Sequence, residues 1–339
     1  MKPINVLFLW KVPSPLQKYI QKNLSKIKGL NLIFPEKAEE SEFLKWAPDV
    51  HVLVGWRPSQ DLLEQAQQLQ LFLFPGVGVQ NLIDWFRDHG QQRGIVLVNS
   101  HGNSYLVAQH TVALLLALLN KIVPHHNWMK GGEWRKGDAD AKTTLLRNRT
   151  VGFLGYGAIN QQVHRFLAGF DVKFTALRRS WRGKREPLPT PMKKYNPSQL
   201  NDFLDATDTL LVAVPLTPKT DGMIGYNELK RLGPEGVLVN VGRGAVINQK
   251  GLYQALKKNV IAGAAIDVWY TYQPEPDESG RKYPFEQPFH ELDNMILSPH
   301  RAYSPADDLE RWDEIIENIR RYAQGRKDFL SIVDLKRGY

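Results

Sequence analysis

The 339-residue chain contains no cysteine, which excludes disulfide bonds, thiolate metal sites and cysteine nucleophiles. Its histidines and acidic residues also lack the spacing of metal ligands, so we expect no metal site. The apolar stretch 112–119 is too short to span a bilayer. Residues 4–10 are not followed by a small-residue cleavage site and are expected to form a strand rather than a signal peptide. Together these absences predict a cytoplasmic protein with no membrane partner.

Acidic residues are outnumbered, with 35 Asp and Glu against 44 Lys and Arg and a formal net charge of +9. A basic surface attracts anionic partners. No nucleic-acid-binding motif is present, and the aromatic residues do not alternate with the basic ones. We therefore expect a small anion rather than a nucleic acid as the partner, the alternative being a solvated basic surface with none.

Short apolar runs alternate with helical stretches in two successive sets, which predicts parallel sheets covered by helices. In the first set, a helix over residues 59–69 with Ser59 as its N-cap lies among the strands. Its strands are expected at residues 5–10, 51–54, 71–74 and 95–98. The second set has strands expected at residues 150–154, 172–177, 209–214, 237–241, 261–266 and 295–297. Six such strands match the two halves of a doubly wound sheet.

The apolar helix predicted over residues 107–119 is expected to be buried, linking two domains or packing between them. The last helix carries one apolar stripe, formed by Leu309, Trp312, Ile315, Ile316, Ile319 and Tyr322. Because it follows all six strands, we expect it to return to the first domain. Residues 178–194 and 270–288 are rich in proline and charge and are predicted loops. The predicted domains are a substrate (catalytic) domain of residues 1–100 plus 305–339 and a dinucleotide-binding domain of residues 101–304.

A glycine-rich turn, Gly155-Tyr156-Gly157-Ala158-Ile159-Asn160, joins the strand at 150–154 to a helix. Gly155 allows a tight turn, and Gly157 lets backbone N–H groups approach a pyrophosphate at the positive end of the helix. Asn160 replaces the usual third glycine and is expected to push the helix slightly off the strand, unless small neighbours absorb it. The turn predicts a dinucleotide site, the alternative being a strand-helix connection without a ligand.

The second strand of this set ends in Arg178-Arg179-Ser180, where a dinucleotide site usually has an acid for the ribose hydroxyls. Guanidinium groups bind phosphate oxygens in pairs, and a serine hydroxyl adds a donor. We therefore predict NADP rather than NAD, with these three residues at the 2′-phosphate. The alternative is an exposed basic loop that accepts either cofactor.

Five segments, the glycine-rich turn among them, occur in a recognisable order and at suitable separations. They are residues 151–160, 215–217, 240–244, 265–268 and 298–300. Together they resemble the D-isomer-specific 2-hydroxyacid dehydrogenase family over nearly the whole chain, and residues 76–81 and 107–111 resemble its substrate loop and interdomain helix. The resemblance implies an α/β fold in which a Rossmann cofactor domain is inserted into a flavodoxin-like substrate domain. It also implies a homodimer that pairs through the cofactor domain.

The same resemblance assigns chemistry to particular residues. Arg243 is expected to bind the substrate carboxylate and polarise the adjoining carbonyl, with Gly242 and Gly244 leaving room for substrate and nicotinamide. His300, with an ordinary pKa of about 6.5, suits proton donation to the developing alkoxide. Asp267 is expected at the nicotinamide carboxamide or ribose, or else as a cap of its strand.

The family places a Glu five residues after that Asp and before a Pro, where it hydrogen-bonds the His and raises its pKa. Here Tyr272 stands at the expected spacing, and Glu275 precedes Pro276 three residues later. Either the loop has an insertion and Glu275 is the partner, or the role is altered or vacant. We favour Glu275.

The expected cofactor-binding residues are Thr111, Gly155, Tyr156, Gly157, Ala158, Ile159, Asn160, Arg178, Arg179, Ser180, Val214, Pro215, Thr220, Val241, Gly242, Asp267 and His300. The expected substrate-binding residues are Arg57, Val77, Gly78, Asn103 and Arg243. Arg57 would serve a second anionic group, unless it is simply exposed at the surface.

The resulting hypothesis is hydride transfer between nicotinamide and C2 of a small 2-hydroxy or 2-keto acid. With NADP as cofactor the reductive direction is favoured, and glyoxylate or hydroxypyruvate is the first substrate to test. Two alternatives stay open: a nucleotide-sensing binding protein with little catalysis, and a dehydrogenase acting on another small anion such as phosphite.

Overall fold

The computed structural model describes residues 3–135, 138–139, 141–182, 187–304 and 308–339. The chain divides into two compact units, Met1–Asn103 with Pro305–Tyr339, and Ser104–Ser304. Each unit is built on its own parallel sheet flanked by helices, which confirms the predicted α/β class with two parallel-sheet domains.

The strands are β1 (Ile4–Phe8), β2 (Leu30–Ile33), β3 (Val52–Val54), β4 (Leu71–Leu73), β5 (Val96–Val98), β6 (Thr150–Leu154), β7 (Lys173–Leu177), β8 (Lys193–Tyr195), β9 (Thr209–Val212), β10 (Val237–Asn240), β11 (Gly263–Ile266) and β12 (Met295–Leu297). The α-helices are α1 (Ser14–Leu24), α2 (Glu40–Leu44), α3 (Gln60–Gln65), α4 (Ile83–Trp85), α5 (Ser104–Leu119), α6 (Ile122–Lys130), α7 (Ala158–Leu167), α8 (Leu200–Asp205), α9 (Tyr226–Leu232), α10 (Gln249–Lys257) and α11 (Asp313–Ala323).

The sheet of the first unit has the strand order β2-β1-β3-β4-β5, which is the order of flavodoxin-like folds. Sequence analysis did not predict strand β2, although three of its four residues are apolar; at this edge of the sheet only Ile33 of them is buried. Ser59 caps α3 as predicted, since its Oγ accepts a hydrogen bond from the Leu62 amide at 3.1 Å. The helix ends at Gln65, four residues earlier than expected.

The C-terminal helix α11 packs onto this first sheet. Trp312, Ile315, Ile316 and Ile319 are buried against residues of the sheet strands, in the stripe that the sequence predicted. Beyond the helix, the Asn318 side chain holds the Leu330 backbone, accepting from its N–H at 2.7 Å and donating to its carbonyl at 3.3 Å. The C-terminal segment is therefore part of the first unit's core.

The sheet of the second unit has the order β12-β11-β10-β9-β6-β7-β8, one strand more than the six predicted. The additional strand is β8, where two exposed lysines precede the buried Tyr195, so its apolar signal is poor. The predicted loop 178–194 is therefore wrong at its last two residues, and residues 183–186 of it lie outside the described residues. The strand order reverses between β6 and β9, and ligands of such sheets bind at that point.

Two helices cover one face of this sheet. Helix α5 begins three residues before the predicted start and buries Val107, Leu114 and Leu115 in the same cluster as Val163 and Leu167 of α7. In the described part of the chain no single helix is long and apolar enough to cross a membrane, although the bent pair α5 and α6 meets those two criteria jointly.

Candidate active site

The turn after β6 has the geometry that a phosphate-binding turn requires. Gly155 has φ of +85°, and a Cβ there would lie 2.6 Å from the Ala213 carbonyl oxygen. Its N–H donates to the Leu177 carbonyl at 2.8 Å, which fixes the turn to the end of β7. Only glycine combines this left-handed backbone with so close a neighbour.

Gly157, the N-cap of α7, is glycine for a different reason. Its φ is −101°, which any residue adopts, and a Cβ would meet no protein atom within 4 Å. The protein's own packing therefore does not require glycine here. Open space directly over a helix N-terminus suits a phosphate group, so the turn fits a dinucleotide pyrophosphate, with Ala158 and Ile159 half-buried beside it.

The Asn160 side chain faces the protein interior. It is fully buried, and its Nδ2 donates to the Gly155 carbonyl at 2.6 Å and to the Leu211 carbonyl at 3.4 Å. The side chain therefore supports the turn from behind, and a cofactor contact of Asn160, which its backbone would have to make, stays a prediction. Tyr156 likewise faces inward, with its hydroxyl 2.7 Å from Nδ1 of His164, so only its backbone faces the turn.

A basic cluster lies beyond β7, as the sequence predicted, and it is larger than expected. The Arg178 guanidinium lies 5.3 Å from the Trp181 ring centroid, and Nζ of Lys194 lies 5.1 Å from the same ring. Arg179 and Ser180 are exposed in the same segment. Sequence reasoning missed Lys194, because only the pairing of β7 with β8 brings it beside Arg178.

Arg243 follows β10 on a loop that is held by a side chain. Asn240, fully buried, donates from Nδ2 to the Arg243 carbonyl at 3.0 Å and accepts at Oδ1 from the Gly242 N–H at 3.0 Å. Nη1 of Arg243 donates to the Gly242 carbonyl at 2.7 Å. Burial lowers the pKa of Arg243, although a guanidinium stays protonated in proteins.

The glycines beside Arg243 serve backbone packing rather than ligand space, which corrects the expectation. A Cβ on Gly242 would lie 2.9 Å from the Val214 carbonyl oxygen, and one on Gly244 would lie 2.4 Å from the Trp269 carbonyl oxygen. The neighbouring segment is held by Thr220, whose hydroxyl donates to the Pro215 carbonyl at 2.7 Å.

Two further expected cofactor residues lie in the interior. Thr111 is fully buried and donates its hydroxyl to the Val107 carbonyl of its own helix at 2.7 Å. Val241 belongs to the apolar cluster under the sheet and is 7% exposed. The hydroxyl proton of Thr111 is thus used within its own helix, and the cofactor contact of Thr111 stays a prediction.

His300 follows β12 in a left-handed backbone conformation, with φ of +55°. Its Nδ1 lies 3.1 Å from the Tyr272 hydroxyl, and the two rings meet edge to face at 84°. Burial lowers the pKa of His300, the Asp267 charge opposes this shift and the Arg243 charge adds to it. Tyr272 and Arg243 also influence each other's pKa. The fold thus gathers His300, Arg243 and Tyr272 at the carboxyl edge of the sheet.

Glu275 is not the partner of His300, which corrects the expectation. It is exposed, and among the described residues no hydrogen bond or ion pair involves it. The loop after β11 keeps the family spacing instead of carrying an insertion before the contact. The residue five positions after Asp267, Tyr272, consequently reaches the imidazole.

Asp267 holds the loop on which His300 stands. Its carboxylate, in a residue only 2% exposed, accepts from the Ser298 hydroxyl, from the Arg301 N–H at 2.8 Å and from the Ala302 N–H at 3.1 Å. His110 completes the cluster, with Nε2 3.0 Å from the Ser298 hydroxyl. The strand-cap interpretation of Asp267 therefore accounts for these contacts, and its contact with nicotinamide stays a prediction.

In the first unit, the loop after β4 turns its carbonyl groups inward. The carbonyls of Pro75, Gly76 and Val77 accept hydrogen bonds from Trp56 Nε1, the Ser100 N–H and Asn99 Nδ2 at 2.9 to 3.2 Å. Within the described residues, the N–H groups of Val77 and Gly78 have no acceptor in the protein. Free amides of this kind can bind a carboxylate.

A small cavity adjoins this loop within the same unit. It is lined by Pro75, Gly76, Ser100, Asn103, Arg311 and Trp312. Oδ1 of Asn103 is buried without a hydrogen-bond partner. Arg311 was missed by sequence reasoning because it lies on the returning C-terminal segment, whereas Arg57 is exposed and does not line the cavity. In the part of the chain that the structure describes, no group of three or more His, Asp or Glu could hold a metal.

Comparison with known proteins agrees with this geometry. Residues 112–302 match the family described as D-isomer specific 2-hydroxyacid dehydrogenase, NAD binding domain. A glyoxylate reductase of Pyrococcus furiosus is 33% identical over 294 residues, covering 84% of this chain and 82% of that protein. A D-3-phosphoglycerate dehydrogenase of Methanocaldococcus jannaschii is 30% identical over 84% of this chain, which spans about half (52%) of that protein.

Among solved structures, an NADPH-dependent glyoxylate/hydroxypyruvate reductase of Sinorhizobium meliloti in complex with NADP and malonate has a TM-score of 0.72 and 26% identity, covering 99% of this chain and 98% of that one. The chain belongs to the D-isomer specific 2-hydroxyacid dehydrogenase family. It is an NAD(P)-dependent oxidoreductase, and the predicted family and cofactor class are confirmed.

The open space at Gly157 gives a direct test of the cofactor seat. We expect Gly157→Val to raise the dissociation constant for NADPH at least ~10-fold, because the new methyl groups occupy the place of a phosphate at the helix N-terminus. Gly169→Val is the matched control, since a Cβ there also meets nothing within 4 Å. Both variants should keep their melting temperatures within a few degrees, and equal NADPH affinity in the two would contradict the assignment.

Proposed function

We propose that the chain is an NADPH-linked reductase of small 2-keto acids, of the glyoxylate/hydroxypyruvate type. The observation that carries the proposal is the grouping of Arg243 and His300 around Tyr272 at the carboxyl ends of β10 and β12. An anion-binding guanidinium beside a proton donor is the pair that keto-acid reduction requires. The names of the glyoxylate reductase relatives support the substrate class.

In this proposal Arg243 binds the substrate carboxylate and polarises the adjoining carbonyl. Its partial burial strengthens that interaction, because water competes less for the guanidinium. His300 donates a proton to the carbonyl oxygen, which becomes the hydroxyl of the product. A bound nicotinamide dinucleotide supplies the hydride. On the first unit, the amides of Val77 and Gly78, with Asn103, are proposed substrate contacts, and Arg57 would serve a second anionic group.

NADPH rather than NADH is the proposed cofactor. At the end of β7 the chain offers Arg178, Arg179 and, from β8, Lys194, and no carboxylate occupies that strand end in the described residues. Cations at this place attract a 2′-phosphate, whereas the usual acid would repel it. Both cations lie against the Trp181 ring, which keeps Arg178 and Lys194 close to each other.

A homodimer is the proposed assembly. Helix α6 has no buried residue, and large apolar side chains around it are exposed: Ile122 at 55%, Met129 at 54% and Trp134 at 76%. So large an apolar group of residues on one segment indicates a protein interface. A second copy of the chain is the proposed occupant, because the segment lies in the cofactor unit through which the family pairs.

The proposed reaction is tested by following NADPH absorbance with glyoxylate, hydroxypyruvate and other 2-keto acids. We expect turnover, and we expect His300→Gln and Arg243→Gln each to lower kcat/KM by ~10²-fold or more while NADPH binding persists. Glu275→Gln is the control and should match the wild type. Tight NADPH binding without oxidation of NADPH by any keto acid would favour the alternative of a nucleotide-sensing protein. Oxidation of phosphite with NADP would favour the alternative of a dehydrogenase that acts on another small anion.

Cofactor selectivity is tested by the dissociation constants of NADPH and NADH. Arg178→Ala and Lys194→Ala should each weaken NADPH binding by about 10-fold, because each removes a charge-assisted contact, and should leave NADH unchanged. Lys193→Ala is the control, since neighbouring strand residues point to opposite faces and Lys193 lies over Tyr195. NADH binding to the wild type as tightly as NADPH would refute the selectivity.

Assembly is tested by light scattering coupled to gel filtration. The wild type should have the mass of a dimer, and Trp134→Asp should shift it towards the monomer because a buried, unpaired charge at an interface is costly. Trp46→Asp, at an exposed tryptophan of the other unit, should remain dimeric. A dimeric Trp134→Asp variant would rule out this surface.

A further inference from the structure

The environment of His300 differs from that of a carboxylate-assisted imidazole. The group within hydrogen-bond distance of its Nδ1 is the Tyr272 phenol, at 3.1 Å. The other titratable or charged groups around it in the described residues are Asp267, Arg243 and Tyr303, whose ring centroid lies 5.9 Å away. Asp267 already accepts from Ser298 and two backbone N–H groups, so its charge is shared with them.

We propose that Tyr272 is the positioning partner of His300, a neutral phenol that orients the imidazole without the charge of a carboxylate. The inference rests on the proposed function, because it concerns the proton donor of that reaction. A phenol can serve both protonation states of the imidazole. It accepts the Nδ1–H of the imidazolium and of the neutral ring that remains after Nε2 has given up its proton, and it donates its O–H to Nδ1 when the neutral ring carries its proton on Nε2.

The position of Tyr272 argues against a purely structural role. Its side chain is 55% exposed, so it contributes little to the core, and its contacts are with the His300 ring and the Trp269 N–H at 3.5 Å. The part of the side chain that is shielded from water raises the pKa of the phenol, against the opposing effects of the Trp269 N–H and the Arg243 charge, and this disfavours a tyrosinate that could replace the missing carboxylate. The pair therefore has no net charge when His300 is neutral.

The proton balance of reduction follows from this pair. The imidazolium loses its Nε2 proton to the substrate oxygen and becomes neutral, while Nδ1–H stays directed at the Tyr272 oxygen. A solvent proton then restores the imidazolium. Because burial and Arg243 lower the pKa of His300, the donor form is lost as the pH rises through a value below the ordinary 6.5. Reduction should therefore be fastest in acid, and oxidation, which needs neutral His300, should persist at neutral pH.

The experiment is a pH titration of the histidine ¹³Cε1 resonances by NMR, in the wild type, Tyr272→Phe, Tyr272→Gln and Tyr272→Glu. The chain has nine histidines, and His300→Gln identifies the resonance of interest. We expect the His300 midpoint to lie below 6.5 in the wild type and to rise by at least about one unit in Tyr272→Glu, because a carboxylate favours the imidazolium. Tyr272→Phe and Tyr272→Gln carry no charge and should leave the midpoint low.

Kinetics give the second readout. The pH profile of kcat/KM for reduction should move upward in Tyr272→Glu by the same amount as the NMR midpoint. At acid pH, Tyr272→Phe should lower kcat about 10-fold through lost orientation, and Tyr272→Gln, which keeps a hydrogen-bonding group, should recover part of the loss.

A His300 midpoint that is the same in Tyr272→Glu and the wild type would overturn the pairing. A His300 midpoint at or above 6.5 in the wild type would overturn the proposal that the Tyr272–His300 pair is neutral. Both results are obtained without substrate, so they are distinguishable from failure of the proposed function, which would appear as the absence of turnover with every keto acid.

Discussion

The proposed catalytic edge of this protein depends on one buried carboxylate. Asp267, at the end of β11, accepts hydrogen bonds from Ser298 and from the backbone of Arg301 and Ala302, and so holds both sides of His300. Between these anchors His300 keeps a left-handed backbone, with φ of +55°, that a non-glycine residue rarely adopts. Such strain persists only where the surroundings over-determine it. The proposed proton donor is therefore positioned by the sheet rather than by its own loop.

The proposed cofactor-binding turn is also held by a side chain that lies behind it. Gly155 needs its glycine because Ala213 is so close, whereas Asn160 fills the place of a third glycine by bonding to the Gly155 carbonyl. Asn240 acts in the same way behind Arg243. In both loops a buried amide satisfies backbone groups that would otherwise be unpaired, so the functional residue is free to face outward.

Sequence reasoning predicted the class of fold, because short apolar runs such as β6 and β10 alternate clearly with helices. It missed β2 and β8, two edge strands that bury a single residue each; β8 consists of two exposed lysines and a buried tyrosine, so its sequence has little apolar signal. It found Arg243 and His300 because their segments resemble a known family. It could not find Lys194 or Arg311, which reach their neighbours only through tertiary structure. The assignment of Glu275 was wrong because it relied on the Glu-Pro pair of the family pattern. The spacing of five residues after Asp267 indicated Tyr272 instead.

The neutral pair proposed for Tyr272 and His300 has a consequence for how substrate and proton bind together. Arg243 lowers the pKa of His300, and within the described residues no ion pair compensates the charge of Arg243. In the proposed reaction a 2-keto acid brings a carboxylate to Arg243 and offsets that charge, so substrate binding would favour the imidazolium. By linkage, protonation of His300 must then tighten substrate binding by the same factor. In a site where a protein carboxylate pairs with the histidine, the imidazolium is already stabilised before the substrate binds. Here the negative charge that stabilises the donor arrives with the substrate, which couples proton uptake to the presence of the molecule that needs it.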